Sequence, residues 1–197
     1  MKTYSFAYGS GTVEFPLEEK NIIGELHGNV VEPISDIRRE LWASLDAPID
    51  SAPLCRRVTP GSTVALVVSD MSRFWMRQDL VVPHLVDYLT ERCGVREEDI
   101  TIVIANGTHT GGDEAELRTL VTDAVYDRIT VENHNCDSDD LVYLGTTPHG
   151  TPVSINRTAA LADMVICLGA ATHHVMAGFG GGRKSILPGI SSRETIF

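Results

Sequence analysis

Apolar runs and polar breaks alternate along most of this chain with the rhythm of a mixed α/β protein. The run TVALVVS at residues 63–69 is continuous and rich in β-branched side chains, a pattern typical of a strand buried on both faces. Apolar residues recur at helical spacing over 78–93, where Pro83 must lie in the first turn and Gly94 ends the helix. The pattern predicts further strands at 100–104, 129–132 and 164–168, and a second helix at 113–125. Strands that alternate with helices predict parallel βαβ units and a Rossmann-like parallel sheet flanked by helices.

The N-terminal part of the chain shows a different pattern. Short alternating stretches at residues 4–8 and 13–17 predict a small β lead-in. Ser35 is expected to cap a helix that runs to Leu45. Residues 46–61 contain three prolines, so we expect a loop there.

One interruption of the strand–helix alternation lies in the second half of the chain. Residues 141–144 and 152–155 predict an inserted β-hairpin, after which Asn156 is expected to cap a short helix. The predicted organisation is therefore a β lead-in and helix at 1–62, packed on a main Rossmann-like domain at 63–197.

The composition is that of an ordinary globular protein, with 43% hydrophobic and 22% charged residues. Sixteen basic against 27 acidic residues give a formal charge of −11. The chain therefore lacks the excess of basic residues that is typical of nucleic-acid-binding proteins. The four cysteines are dispersed and form no CxxC pair, so we expect a reducing cytoplasm, with neither disulfides nor a zinc finger. The N-terminus lacks the apolar region of a signal peptide, and no apolar run approaches the roughly 20 residues of a membrane span.

Most polar and glycine-rich motifs lie in four loops that follow predicted strands, at residues 70–75, 105–112, 133–140 and 169–184. Ligands of doubly wound sheets bind at these carboxyl ends of the strands. In the first loop, Asp70 and Arg73 are spaced to pair with each other. The functional alternative is that Asp70 orients Arg73, whose guanidinium can grip a carboxylate or phosphate.

The second loop has the sequence NGTHTGG at residues 106–112. Its glycines let the backbone approach a ligand closely, and the following helix offers free N–H groups to an anion. His109 is either a general acid–base group beside this anion site or an ordinary surface residue. In the third loop, His134, Cys136 and Asp137 are candidate metal ligands, but their spacing fits no standard site.

The fourth loop, GAATHHVMAGFGGGRKS at residues 169–185, combines glycines with a lysine. It differs from a Walker A loop because Arg183 stands where glycine must precede the lysine, and because Pro188-Gly189 would break the required helix. What remains is a glycine run that presents Lys184. A lysine amine can join covalently to a carbonyl-type group when burial or a nearby cation such as Arg183 lowers its pKa. The alternative is a solvated surface lysine.

Together, these motifs resemble those of one protein family. The signature of the nickel-dependent lactate racemase family is similar to the string His174-x-x-x-Gly178-Phe179-x-Gly181-Gly182-x-Lys184-x-x-x-Pro188-Gly189, followed by Thr195-Ile196. The resemblance extends to Asp70-x-x-Arg73, Gly107-Thr108-His109, Leu144-Gly145-Thr146-Thr147-x-x-Gly150-Thr151-Pro152-Val153 and the opening Tyr8-Gly9 … Phe15-Pro16-Leu17. It covers essentially the whole chain. Gly180, in place of a frequent serine, and His173 depart from the pattern.

The resemblance implies an isomerase that racemises a small 2-hydroxy acid with a nickel pincer nucleotide, a pyridinium-3,5-bisthiocarboxylic acid mononucleotide that carries nickel. It implies that Lys184 forms a thioamide with this cofactor. It also implies that His109 and His174 act as alternating bases while hydride leaves and returns at the 2-carbon. Asp70 and Arg73 complete the implied catalytic set. The further cofactor-binding positions are Gly107, Thr108, Gly181 and Gly182.

The family pattern also implies a nickel-ligating histidine shortly after Thr195-Ile196 and a C-terminal catalytic domain. Neither is present in the 197 residues, so we assign no metal ligand and expect this chain alone to be inactive. The alternatives are an epimerase of a larger hydroxy acid with the same cofactor, or a non-catalytic nucleotide-binding module. An NAD-dependent protein is disfavoured because no G-x-G-x-x-G follows a strand.

The candidate site residues come from loops far apart in the sequence. We expect Asp70, His109, His174 and Lys184 to converge on one cleft at the carboxyl edge of the sheet. Successive side chains of an extended loop point to opposite sides, so only one of the two adjacent histidines can face that cleft. Its distance from Lys184 favours His174 over His173.

Overall fold

The computed structural model describes residues 1–197 and divides them into two compact units, Met1–Ile34 and Ser35–Phe197. The sequence pattern placed the boundary after residue 62 instead. The difference lies in the intervening segment, because Leu41, Trp42 and Leu45 pack against the main core and Val58 is fully buried in it. Residues 35–62 therefore belong to the larger unit.

The strands and helices follow one another in the predicted alternation. The strands are β1 Lys2–Tyr8, β2 Gly11–Leu17, β3 Val64–Ser69, β4 Ile100–Ala105, β5 Thr130–Asn133, β6 Leu141–Thr146, β7 Pro152–Asn156, β8 Met164–Cys167, β9 His173–His174 and β10 Gly178–Phe179. The α-helices are α1 Ile37–Asp46, α2 Leu54–Arg57, α3 Val82–Asp87, α4 Glu114–Val121, α5 Asp123–Tyr126, α6 Arg157–Leu161 and α7 Arg193–Ile196. None of the helices combines the length and apolar composition that a membrane crossing needs.

The main sheet has the strand order β5-β4-β3-β8, and every neighbouring pair is parallel. The predicted α/β fold with a parallel sheet flanked by helices is confirmed, and each bound of the four strands lies within one residue of its prediction. The chain runs outward from β3 through β4 to β5 and then returns to place β8 on the other side of β3. The strand order thus reverses between β3 and β8, where open α/β sheets bind their ligands.

Alternate residues of β3 face two separate cores, because successive side chains of a strand point to opposite faces. Val64, Leu66 and Val68 belong to the larger core, which includes residues of α3 and α4. Ala65 and Val67 belong to a smaller core that includes Ala159 of α6 and Ile190. Burial on both faces explains why β3 is a continuous apolar run.

The structure has three antiparallel hairpins, of which β1–β2 and β6–β7 were predicted and the short β9–β10 pair was not. In the smaller unit, β1 pairs with β2 around a turn at Gly9, whose φ of 58° favours glycine. In the larger unit, β6 pairs with β7, with an irregularity between Tyr143 and Gly145. Asn156 then caps α6, since its side chain accepts a hydrogen bond from the amide of Ala159.

Two predicted helices are divided in the structure. The stretch at 78–93 consists of a 3₁₀ turn, α3 and a π-helical turn at Tyr88–Arg92; Pro83 lies at its start and Gly94 follows its end, as predicted. The stretch at 113–125 breaks at Thr122, which adopts a φ of 77°. Arg118 pairs with Asp123 and Asp127 across the break.

Two smaller expectations in the N-terminal third were wrong. The segment 46–61 is not entirely loop, because α2 begins directly after Pro53, whose fixed φ suits a helix start. The cap of α1 is Asp36 rather than Ser35, since the Asp36 carboxylate accepts a hydrogen bond of 2.9 Å from the amide of Arg39.

This cap can be tested by comparing two neighbouring alanine variants. Asp36→Ala should lower the free energy of unfolding by about 1 kcal/mol, because it removes the acceptor for a helix N-terminal amide. Ser35→Ala should leave that free energy unchanged, since its side chain caps nothing in the structure. Urea unfolding at equilibrium measures both values, and equal losses would contradict the assignment.

Candidate functional site

A cavity of about 470 Å³ opens at the carboxyl edge of the main sheet. The loops after β3, β4 and β8 line it, as expected from the reversal of strand order between β3 and β8. The candidate residues among its lining are Arg73, Gly107, Thr108, His109, His174, Gly181 and Lys184. Asp70 lines an adjoining cavity of about 310 Å³, which shares Asn106 and His109 with the first. Gly182 is exposed and is not part of either lining.

Asp70 connects the first two loops of the site. Its side chain is buried, with 6% exposed, directly after β3. One carboxylate oxygen accepts hydrogen bonds from Ser72 Oγ at 2.6 Å and Arg73 Nη1 at 3.3 Å, and the other contacts Nδ1 of His109. The spacing of Asp70 and Arg73 predicted their pairing, whereas nothing local in the sequence indicated the contact with His109.

These contacts keep Asp70 ionised. Burial of the carboxyl group acts to raise its pKa, but the hydrogen bonds from Ser72 and His109 and the charge of Arg73 outweigh it, so the pKa lies below its ordinary value. Asp70 is therefore a buried negative charge between two groups of the site that can carry positive charge.

His174 enters the cavity from the loop after β8. Its Nδ1 accepts hydrogen bonds from the backbone amides of Met176 at 3.2 Å and Ala177 at 3.1 Å. The neighbouring His173 is exposed and its ring lies against Phe179, with ring centroids 5.1 Å apart. Only His174 of the two is part of the cavity lining.

Lys184 reaches the same cavity from a short 3₁₀ helix at Gly182–Ser185. Its Nζ is buried and makes no hydrogen bond within the chain. Burial lowers the pKa of the amine, the charge of Arg73 lowers it further, and Asp70 opposes the change. The sequence suggested Arg183 as the neighbouring cation; in the structure Arg183 is exposed and Arg73 has that effect.

Glycine permits the close approach of the loops beneath Lys184. Gly181 adopts a φ of 70°, and a Cβ added there would lie 2.8 Å from the carbonyl oxygen of Ala170. At Gly189, a Cβ would lie 2.1 Å from the carbonyl oxygen of Ser185. A side chain at either position would force the backbone of the lysine loop to shift.

Asn106 is a site residue that the sequence reasoning did not single out. It is 2% exposed, lines both cavities, and donates from Nδ2 to Asn133 Oδ1 at 3.1 Å and to the carbonyl of His134 at 3.0 Å. Both partners are acceptors, which fixes the orientation of the amide. Its Oδ1 has no partner within the chain. Its position as a polar residue directly after a buried strand could have identified Asn106 from the sequence.

The side chains of the third loop, residues 133–140, form hydrogen bonds to the segment that follows Lys184 and do not converge as metal ligands. His134 is 2% exposed and its Nε2 donates to the carbonyl of Ser191 at 3.0 Å. Asp137 forms a two-bond pair with Arg193, at 2.6 and 2.8 Å. No group of three or more histidine, cysteine, aspartate or glutamate side chains is placed to hold a metal ion.

The sheet and the cavity at its edge define an α/β protein whose candidate site is built from strand-end loops. The family model described as "Lactate racemase N-terminal domain" matches residues 8–197, and the chain belongs to that family. The predicted family resemblance is thus confirmed.

Two curated relatives match the whole chain. Lactate racemase of Thermoanaerobacterium thermosaccharolyticum is 28% identical over 199 residues, and lactate racemase of Lactiplantibacillus plantarum is 29% identical over 199 residues. The chain spans 46% of the length of each of these relatives.

Solved structures agree with the fold. The lactate racemase apoprotein from T. thermosaccharolyticum superposes with a TM-score of 0.85 at 26% identity, over 99% of this chain and 45% of that one. A crystal structure of a Thermotoga maritima protein superposes with a TM-score of 0.60 at 24% identity, over 81% of this chain and 39% of that one, and supports the fold alone.

The fixed orientation of Asn106 gives a stability prediction. Asn106→Asp should lower the free energy of unfolding by at least about 2 kcal/mol, because a carboxylate would face the two oxygens that now accept from Nδ2. Asn135→Asp adds the same charge in a neighbouring loop but keeps the acceptor for the Asp137 amide, so we expect a change below about 0.5 kcal/mol. Urea unfolding compares the two, and similar losses would contradict the described network.

The burial of His134 gives a pH prediction. Burial lowers its pKa below the ordinary 6.5, against smaller opposing effects of the Ser191 hydrogen bond and Glu132. Below pH 6.5 the unfolded chain therefore binds a proton that the folded chain does not, so stability falls as the pH falls from 6.5 through the lower folded pKa. The slope contributed by His134 approaches about 1.4 kcal/mol per pH unit at most.

The measurement is the free energy of unfolding as a function of pH. His134→Gln should reduce the slope below pH 6.5, whatever its effect on stability at neutral pH. His149→Gln, at an exposed loop position, should leave the slope unchanged. A slope in His134→Gln equal to that of the unaltered protein would show that this imidazole does not contribute.

Proposed function

We propose that this chain is the cofactor-binding part of a racemase that acts on a 2-hydroxy acid with a nickel pincer nucleotide. One observation carries the proposal: a single cavity gathers a buried lysine amine without a partner, two histidines and an arginine. An amine with a lowered pKa suits covalent attachment, and the histidines suit proton transfer.

Lys184 is the proposed attachment point of the cofactor. A thioamide forms when a neutral amine attacks the carbon of a thio-acid group, whose oxygen leaves as water, and burial together with Arg73 favours the neutral form of Lys184. The absence of a side chain at Gly181 lets the lysine loop pack closely against the backbone of Ala170. Gly107, Thr108 and Gly182 are proposed as further contacts of the nucleotide, through backbone that it can approach closely. The nickel ion would enter as part of the cofactor.

The remaining residues are proposed to bind and deprotonate the substrate. Arg73 would hold its carboxylate, since a guanidinium matches a carboxylate with two hydrogen bonds. His109 would accept the hydroxyl proton of one enantiomer at Nε2 while Asp70 holds its ring. His174 would serve the other enantiomer in the same way once its Nδ1 is released from the amides of Met176 and Ala177, so that Nδ1 carries the hydrogen and Nε2 the lone pair. When bound, the cofactor supplies the acceptor for the hydride of the 2-carbon. Proton transfer of this kind contributes typically about 10²- to 10⁴-fold to a rate.

A larger 2-hydroxy acid is the second candidate substrate. Apolar side chains of Met176, Leu187, Ile196 and Phe197 also line the cavity. They offer an apolar surface for a substrate side chain bulkier than a methyl group. A comparison of lactate with 2-hydroxy acids of increasing side-chain length would distinguish the two candidates.

The attachment can be tested by intact-mass spectrometry of the chain co-expressed with the enzymes of cofactor synthesis. We expect an adduct that peptide mapping assigns to Lys184, one of only three lysines in the chain. Lys184→Arg should abolish the adduct while keeping a positive charge in place. Lys20→Arg, at an exposed position, should retain it. An adduct that persists in Lys184→Arg, or its absence from the unaltered chain, would refute the proposal.

A further inference from the structure

The two histidines of the cavity are held by opposite kinds of partner. Nδ1 of His109 contacts the Asp70 carboxylate, whereas Nδ1 of His174 is approached by the backbone N–H groups of Met176 and Ala177. Nε2 makes no hydrogen bond within the chain in either ring, and both rings line the same cavity. The partners at Nδ1 therefore determine which hydrogen-bonding group each ring presents to a ligand.

His109 must carry its hydrogen on Nδ1. Asp70 is buried and its pKa is held below the ordinary value, so its oxygens act only as acceptors at neutral pH. A stable contact with such an oxygen requires an N–H on the facing nitrogen. A neutral His109 then has its lone pair on Nε2, in the cavity.

His174 must carry its hydrogen on Nε2. Two amide N–H groups, at 3.2 and 3.1 Å, donate to its Nδ1, and a nitrogen that accepts hydrogen bonds cannot also hold a hydrogen in the ring plane. A neutral His174 therefore presents an N–H donor to the cavity.

We propose that the cavity presents one acceptor, Nε2 of His109, and one donor, Nε2–H of His174, and so binds the two enantiomers of a 2-hydroxy acid unequally. With the carboxylate on Arg73, one enantiomer directs its hydroxyl hydrogen to the His109 lone pair. The mirror enantiomer directs its hydroxyl to His174, where the oxygen can accept but the hydroxyl hydrogen finds no acceptor. The choice of ligand rests on the proposed function; the two tautomers do not.

The size of this effect follows from a single hydrogen bond. A neutral hydrogen bond is worth about 2- to 10-fold in binding, so the preferred enantiomer should bind more tightly by that factor. A carboxylic acid without the hydroxyl group should bind no better than the disfavoured enantiomer.

Tautomers can be observed directly by long-range ¹H–¹⁵N correlation spectra of the histidine rings in the whole chain. Single histidine-to-glutamine variants assign the seven histidines, and a series of spectra at increasing pH identifies the neutral form of each ring from its own nitrogen shifts. We expect His109 as the Nδ1–H form and His174 as the Nε2–H form. The same tautomer in both rings, or averaging between tautomers in either, overturns the proposal.

A matched pair of variants tests the cause at His109. Asp70→Asn allows the facing amide either to accept or to donate, so we expect His109 to lose its fixed tautomer while His174 keeps its own. Asp79→Asn removes a carboxylate paired with Arg77 outside the cavity lining and should change neither ring. An Nδ1–H form of His109 that survives Asp70→Asn unchanged counts against Asp70 as its cause.

The ligand half of the proposal is tested by titrating the same labelled chain with each lactate enantiomer and with propionate. We expect one enantiomer to bind more tightly and to shift the Nε2 resonance of His109. Equal binding of the two enantiomers, or binding of neither, overturns the inference even if the tautomers are opposite. The mass-spectrometric result at Lys184 is independent, so failure of the proposed function is distinguishable from failure of this inference.

Discussion

The Asp70 carboxylate remains charged although it is almost fully buried where β3 leaves the sheet, and the geometry of the cavity depends on that charge. Its two oxygens engage Ser72, Arg73 and His109, which come from loops after two neighbouring strands. A buried charge is tolerated only when its hydrogen bonds are satisfied, so these side chains cannot move independently. Arg73 in turn acts on the amine of Lys184, in the loop after a third strand. The Asp70 carboxylate therefore links the orientation of the His109 imidazole to the charge state of the Lys184 amine.

The short segment at residues 186–192 connects the cavity to the rest of the larger unit. The backbone between Ile186 and Ser192 accepts from the amide of Gly107 through Gly189, from His134 through Ser191, and from the amide of Asn156 through Ile190. Three separate elements of the larger unit thus meet one stretch that follows Lys184 directly. Its contact with His134 is buried, which ties the stability of the site to the third strand-end loop although no residue of that loop lines the larger cavity.

The fold could be predicted from the sequence because its main strands are buried on both faces and so appear as unbroken apolar runs. The candidate residues could be selected because ligands of such sheets bind at the carboxyl ends of the strands. The family motifs also occur in this chain in the family's order. Pairings between distant loops could not be predicted. His109 lies 39 residues from Asp70, and no local spacing indicates their contact. Arg183 is adjacent to Lys184 in sequence, yet Arg73 is the cation that affects it, since folding and not sequence distance decides which charges meet.

Two details of the helices could not be predicted from local sequence signals, namely the capping residue of α1 and the break at Thr122. Ser35 and Asp36 are both good caps, and only the backbone geometry places the carboxylate of Asp36 on a free amide. The break at Thr122, where φ is positive, contains no glycine or proline, so no local signal marked it.

Two atoms of the cavity, Asn106 Oδ1 and Lys184 Nζ, are buried without a hydrogen-bond partner in the chain. A buried polar atom that lacks any partner costs folding about 1–3 kcal/mol, which is a large fraction of the marginal stability of a domain. A ligand that supplies partners for these atoms returns part of that free energy, and its binding is linked to folding by mass action. A molecule with a ligand in this cavity would therefore unfold less often than an empty one, and in a cell it would be degraded more slowly by the same proteases.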